Sequence, residues 1–226
     1  MPRLTSHTKS LKAIRRSTLA DEVAVRVRKA IISGEIDEGS AISEISLADQ
    51  LQVSRVPVRE ALIELEHDGI VIFDHRGRSK VREFSQEDVE EILSLRITLE
   101  VMSARLAAKN ATADDLARID ENVTALKKEK DVSRMSFLDV QFHDLIMQAA
   151  HHDRLLECWR TVRAQFELLL AKAHRWQQKH DIPVNDHALR GHLPIYTALK
   201  QRDSALASKE MLKHVREWGE WMPVIH

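Results

Sequence analysis

The sequence predicts a mainly α protein, with two unlike blocks of helices joined at a short β-hairpin. Three observations predict it. Glycine and proline number only 6 and 5 among 226 residues, so the chain has few breakers. Hydrophobic residues make up 43% of the chain and recur at helical spacing through most of it. One stretch departs from that rhythm. "IVIFDHRGRSKVREF", residues 70–84, has β-branched and apolar residues on both sides of Asp74-His75-Arg76-Gly77, and reads as a hairpin turning at the glycine.

The elements follow in order. Residues 1–17 form a basic arm with Lys and Arg but no acid. It reads either as a loose tail or as an arm that touches phosphates. It lacks the apolar core of a signal peptide. Thr18 to Asp21 has a capping pattern, and Leu19, Val23, Val27 and Ile31 continue a helix to a stop at Gly34. "EIDEGSAIS" reads as loop. Ser46 to Asp49 is a second capping pattern, for a short helix to about Leu51. Gln52 and Val53 make the turn, and Ser54 caps a helix to about His67, ended by Gly69. Helix, short helix, helix and hairpin together describe a winged helix-turn-helix over residues 18–84.

From Ser85 the pattern is helical to the end, so residues 85–226 read as an all-helical antiparallel bundle. Starts are marked at Ser85, Thr112, Ser133 and Asp153, and by Asp203 before the last helix. "HDIPVND" interrupts the pattern, and the two helices after it run over roughly 187–201 and 204–221.

Bulk properties narrow the function. The formal net charge is −1, so any nucleic-acid binding must come from a local patch. Cys158 is the one cysteine, which excludes a disulfide framework and fits a cytoplasmic protein. No apolar run approaches the roughly 20 residues of a membrane span. The local patch is evident. Arg55 and Arg59 share one face at the leading end of the second helix of the helix-turn-helix, where base edges are read. Arginine suits bidentate contact with guanine. Acids are usually favoured in a first helical turn, so arginines there point to something outside the helix. The hairpin adds Arg76, Arg78, Lys80 and Arg82, placed to track phosphates or enter the minor groove.

"LADQLQVSRVPVREALIELEHDGIV", residues 47–71, resembles the GntR family of bacterial transcription regulators. That resemblance implies base contacts from Arg55 and Arg59, a backbone contact from Ser54, and a wing tip of His75, Arg76 and Gly77 in the minor groove. Two positions depart from the family pattern. Gln52 replaces a usual glycine, and Val56 replaces a common threonine whose phosphate hydrogen bond it cannot make.

The chain holds 12 histidines. Asp139 and His143 lie on one helix face, as a metal-binding pair needs. His192 and His214 come from the last two helices. Three imidazoles and a carboxylate from three helices suit a divalent transition metal. His151 and His152 read as helix C-terminal residues. This half resembles the FCD domain of the FadR-type branch of the family, through Asp139-Val140-Gln141-Phe142-His143 and "GHLPIYTALKQRDSALASKEMLKH". The resemblance implies Asp139, His143, His192 and His214 as ligands of zinc or nickel. It also implies Arg96 as a cavity residue facing a small carboxylate effector, although Arg96 could equally pair with Glu100 on its own helix. Gly191 departs from a usual glutamate. The expectation is a regulator, a repressor rather than an enzyme, whose homodimer reads a palindromic operator on double-stranded DNA. A helical metalloenzyme, or a bundle that only dimerises, are the readings it competes with.

Overall fold

The computed structural model describes residues 19–182 and 184–221, so the basic arm and the Thr18 cap lie outside the described residues. Among them the chain forms a mainly α architecture, with a winged helix-turn-helix followed by an antiparallel helical bundle.

The first block opens with α1 (Leu19–Ser33), which buries Val23, Val27 and Ile31 on one face. Gly34 follows at φ +81, a left-handed end that glycine adopts without strain. Next come β1 (Ala41–Ile42), α2 (Glu44–Leu51) and α3 (Arg55–His67). The short helix starts before the expected Ser46. Ser43 is its cap and accepts from the Ser46 backbone N–H at 3.3 Å. The reason lies in β1, which falls in the stretch expected to be loop. Ile42 pairs opposite Ser79, so the chain leaves the strand at Ser43 and enters the helix at once. Two residues are too few to show strand alternation in a sequence. Gln52 ends α2 at φ 55, the left-handed conformation that the usual glycine would take more easily.

Strands β2 (Val71–Phe73) and β3 (Ser79–Val81) form the expected hairpin. The sheet order is β1-β3-β2, all antiparallel, with Val71 opposite Val81. The core of this block joins Val27, Ile31, Val58, Leu62, Leu65, Val71 and Val81. It also includes Ala164 and Leu168 from the second block.

That block comprises α4 (Gln86–Asn110), α5 (Ala113–Lys128), α6 (Val132–Ala149), α7 (Asp153–Lys179), α8 (Val184–Lys200) and α9 (Ser204–Trp221). Ser85 with Asp88, and Thr112 with Asp115, form reciprocal capping boxes. Helix α6 is capped by Asp131, two residues before the expected Ser133. Asp203 accepts from the backbone N–H groups of Ala205 and Leu206. His152 is not a C-terminal residue. Its Nδ1 accepts from the Leu155 N–H at 3.1 Å and caps the start of α7. His151 does follow the end of α6, at φ 48, and its Nε2 meets Asp115 at 2.8 Å. Helix α8 begins earlier than expected, and α4 packs along α9 in the most extensive helix contact. Helix α7 carries the fully buried Trp159 and Phe166 into the bundle. Its Lys172 reaches Glu38 of the first block at 2.8 Å, and its Arg175 donates to the carbonyl of Ile32. No helix among the described residues is long and apolar enough to cross a membrane.

Candidate nucleic-acid interface and metal centre

The leading end of α3 projects from the first block. Pro57 and Val58 are buried in its first turn, while Arg55 and Arg59 are 63% and 58% exposed. Ser54 occupies the cap position, but its side chain makes no capping bond. Its hydroxyl is therefore not held by the helix. Both arginines are held by Glu44, which sequence reasoning did not single out. Glu44 Oε2 accepts from Arg55 and Oε1 from Arg59, each at 3.1 Å.

The wing turn is organised by Asp74. Its Oδ1 accepts from the backbone N–H groups of Arg76 at 2.8 Å and Arg78 at 2.9 Å. These bonds hold its carboxyl below the usual range. Gly77 sits at φ +73 with open space where a Cβ would point, so conformation rather than crowding requires it. His75, Arg76 and Gly77 are exposed at the tip. The other basic wing residues are paired: Arg78 with Asp74, Lys80 with Glu83 and Arg82 with Asp88.

The second constellation lies inside the bundle. Helix α6 supplies Asp139 and His143, α8 supplies His192, and α9 supplies His214. One ligand atom from each of the three histidines lies within 4.8 Å of the other two. Asp139 Oδ1 is 3.5 Å from His143 Nε2 and 3.6 Å from His192 Nε2. His143 and His214 approach through their Nε2 atoms at 3.3 Å. The structure thus brings the four sequence-predicted ligands together. Both ring nitrogens of His192 are buried without a hydrogen-bond partner among the described residues. A buried unpartnered imidazole is costly, and a cation among three imidazoles and a carboxylate would satisfy it. The donor set therefore fits a divalent transition-metal ion.

The rings are fixed from behind. Phe142 stacks on His192 at 3.9 Å, and Phe166 meets His143 edge-on at 5.6 Å. Glu100 reaches His143 Nδ1 and accepts from Arg96 Nε at 2.6 Å, which orients the imidazole. Burial opposes the charge on Glu100, but Arg96 and His143 outweigh it and bring its pKa down to about 2. Burial also opposes protonation of His143, yet the Glu100 and Asp139 carboxylates raise it to about 9. Burial and neighbouring imidazoles push His214 well below its ordinary value. Gly191, the departure from the usual glutamate, has a local reason here: a Cβ at that position would collide with His214 Nδ1.

Arg96 is fully buried, its guanidinium 3.6 Å from the Phe166 ring and 4.6 Å from that of Trp218. Of the two readings of Arg96, the pairing with Glu100 on its own helix is present. Its Nε is taken by Glu100, while Nη1, Nη2 and Trp218 Nε1 have no hydrogen-bond partner among the described residues. Sequence reasoning saw Glu100 only as a pairing option and missed Trp218. The first had a signal, an acid on the apolar face of α4.

The fold defines a class: DNA-binding transcriptional regulators with a winged helix and a helical C-terminal domain. The chain belongs to the gntR family of bacterial regulatory proteins, whose model matches residues 19–81, and carries an FCD domain over residues 91–217. It is 30% identical to a gluconate operon transcriptional repressor of Bacillus licheniformis, over 88% of this chain and 83% of that one. It is also 30% identical to a probable D-xylose utilization operon transcriptional repressor of Paenarthrobacter nicotinovorans, over 90% and 88%. The crystal structure of a putative GntR transcriptional regulator from Rhodococcus sp. RHA1 shares the fold. Its TM-score is 0.75 at 23% identity, covering 92% of this chain and 98% of that one. These relatives are transcriptional regulators, not enzymes.

Proposed function

We propose that this regulator is a cytoplasmic repressor whose homodimer reads a palindromic operator, and that a metal-assisted carboxylate site controls the reading. In this proposal residues 18–84 bind DNA and residues 85–226 bind metal and effector. Ser54, Arg55, Arg59, His75, Arg76 and Gly77 contact the DNA. Asp139, His143, His192 and His214 hold a zinc or nickel ion. When bound, the ion supplies a Lewis acid for one carboxylate oxygen. Arg96 donates from Nη1 and Nη2 to the other oxygen, and Trp218 Nε1 donates to a further oxygen of the ligand. The observation that carries this reading is the set of buried, unpartnered Arg96 and Trp218 donors in the same bundle interior as the four ligands. A relative named for a gluconate operon is in keeping with a hydroxylated carboxylate effector.

Dimerisation is supported by α4. Leu95 and Met102 are exposed, Leu99 and Leu106 are half-buried, and their alternating spacing is that of a helix–helix seam. Control is supported by α7. Phe166 packs on Arg96, while Ala164 and Leu168 lie in the core of the winged helix. An effector that favours one setting of α7 shifts the population of DNA-competent dimers by its differential affinity.

The test is a thermal-shift screen of small hydroxy- and sugar acids, with and without chelator. A ligand at a hundred times its Kd adds about 2.7 kcal/mol. Stabilisation that vanishes on chelation is expected. A metal content far below about one ion per chain, unchanged in His143→Ala, would sink the metal centre.

A further inference from the structure

We propose that Glu44 is a positioning residue for DNA reading: its carboxylate fixes the guanidinium groups of Arg55 and Arg59 in one arrangement and so sets which base pairs they select. This rests on the reading that the two arginines contact bases.

Glu44 is the first residue of α2, the helix that does not enter the groove. Its place is set by the Ser43 cap and by Ile42 in β1. Its side chain is only 14% exposed, beneath two arginines that are mostly exposed. Each oxygen serves one arginine, Oε2 for Arg55 and Oε1 for Arg59, both at 3.1 Å. An acid at a helix start is favoured by the dipole alone. Nothing in that preference requires it to bridge two arginines of a different helix. Isolated surface ion pairs contribute little to stability, so the bridge has small value as a staple. Its effect is on freedom. Two long side chains that would otherwise sample many rotamers share one anchor before DNA arrives. In each guanidinium only one nitrogen is bonded to Glu44, and the remaining N–H groups stay available for a base edge. The recess of about 240 Å³ between Glu44, both arginines and Gly77 of the wing places this anchor where helix and wing converge.

The charge of Glu44 gives the proposal a distinctive signature. A carboxylate on the DNA-facing side weakens general attraction to phosphates while it sharpens base reading. Removing it should therefore move specific and random binding in opposite directions. The probe is a pool of duplexes with a randomised centre, from which the wild-type full-length protein selects its preferred sequence. Fluorescence anisotropy then compares that selected duplex with the unselected pool. In Glu44→Ala the selected duplex should weaken about tenfold, while the random pool binds as well or better. Glu44→Gln keeps one acceptor oxygen and should fall between. A fresh selection with either variant should lose preference at positions also lost in Arg55→Ala and Arg59→Ala.

Equal weakening on both DNAs would make Glu44 part of the scaffold and overturn the proposal. So would equal tightening, which marks general repulsion, or an unchanged selected sequence. If thermal melting shows Glu44→Ala unfolded, Glu44→Gln decides by the same criteria. Should Arg55→Ala and Arg59→Ala keep full sequence preference, the base-reading assignment itself falls, a result separable from failure of Glu44 alone.

Discussion

Gly191 shows how a single missing methyl can shape a site. A Cβ there meets the ring of His214, so Gly191→Ala should push that imidazole away while leaving Asp139, His143 and His192 in place. Metal affinity should fall about 10–100-fold, the range seen when ligand support is lost. Titration calorimetry with zinc checks it, and an unchanged affinity would count against His214 as a ligand. At this scale the sequence was legible where one helix carries the pattern. Asp139 and His143 share a face of α6, so spacing alone pairs them. His192 and His214 are distant in the chain; their place on the last two helices of one bundle suggested them, and the resemblance implied them as ligands. Glu100 was legible only as a pairing option for Arg96, and Trp218 not at all. Trp218 meets Arg96 because α4 and α9 lie side by side, and Glu100 meets His143 across α4 and α6, neither of which a local period encodes. Gly191 was legible only as an anomaly.

At the scale of elements, the turn between α2 and α3 holds Gln52 in a left-handed conformation. Replacing it by glycine removes that strain, although the side-chain bond from Gln52 to the Asp49 carbonyl at 2.7 Å is also lost. The net expectation for Gln52→Gly is a gain of about 0.5–1 kcal/mol, read from denaturant melting. A loss would mean that the side-chain bond outweighs the backbone strain. Most helices were readable because their caps are chemical: Ser85 with Asp88, Thr112 with Asp115, and Asp203. The early start of α2 was not, since Ser43 and Ser46 are both plausible caps. Only the pairing of Ile42 with β3 decides between them. His152 was misassigned for a similar reason. A histidine can complement a helix end as a cation or begin a helix as an acceptor, and the reversal of the chain after α6 puts it at the start of α7.

For the whole molecule, the proposed seam along α4 makes a direct claim about assembly. Met102 is 39% exposed at the middle of the stripe that Leu95 begins. Met102→Lys should therefore leave the monomer fold intact, shift sedimentation from dimer to monomer, and lower operator affinity because two half-sites are no longer linked. A variant that sediments like the wild type would place the interface elsewhere. The division into a winged block and a bundle was legible from the change of period at the hairpin. How closely the two blocks fit together was not, because Ala164 and Leu168 look like ordinary bundle residues within the long period of α7.

That fit has a consequence for modularity. The winged block completes its core with two side chains that the chain supplies some 80 residues after the hairpin ends. It is therefore not a cassette that can be cut at the hairpin and joined to any sensor. A chimera that keeps residues 19–84 but imports a foreign bundle must also reproduce Ala164, Leu168 and the Lys172 contact to Glu38. The same requirement ties the winged block to one face of α7, so the two can only be exchanged together.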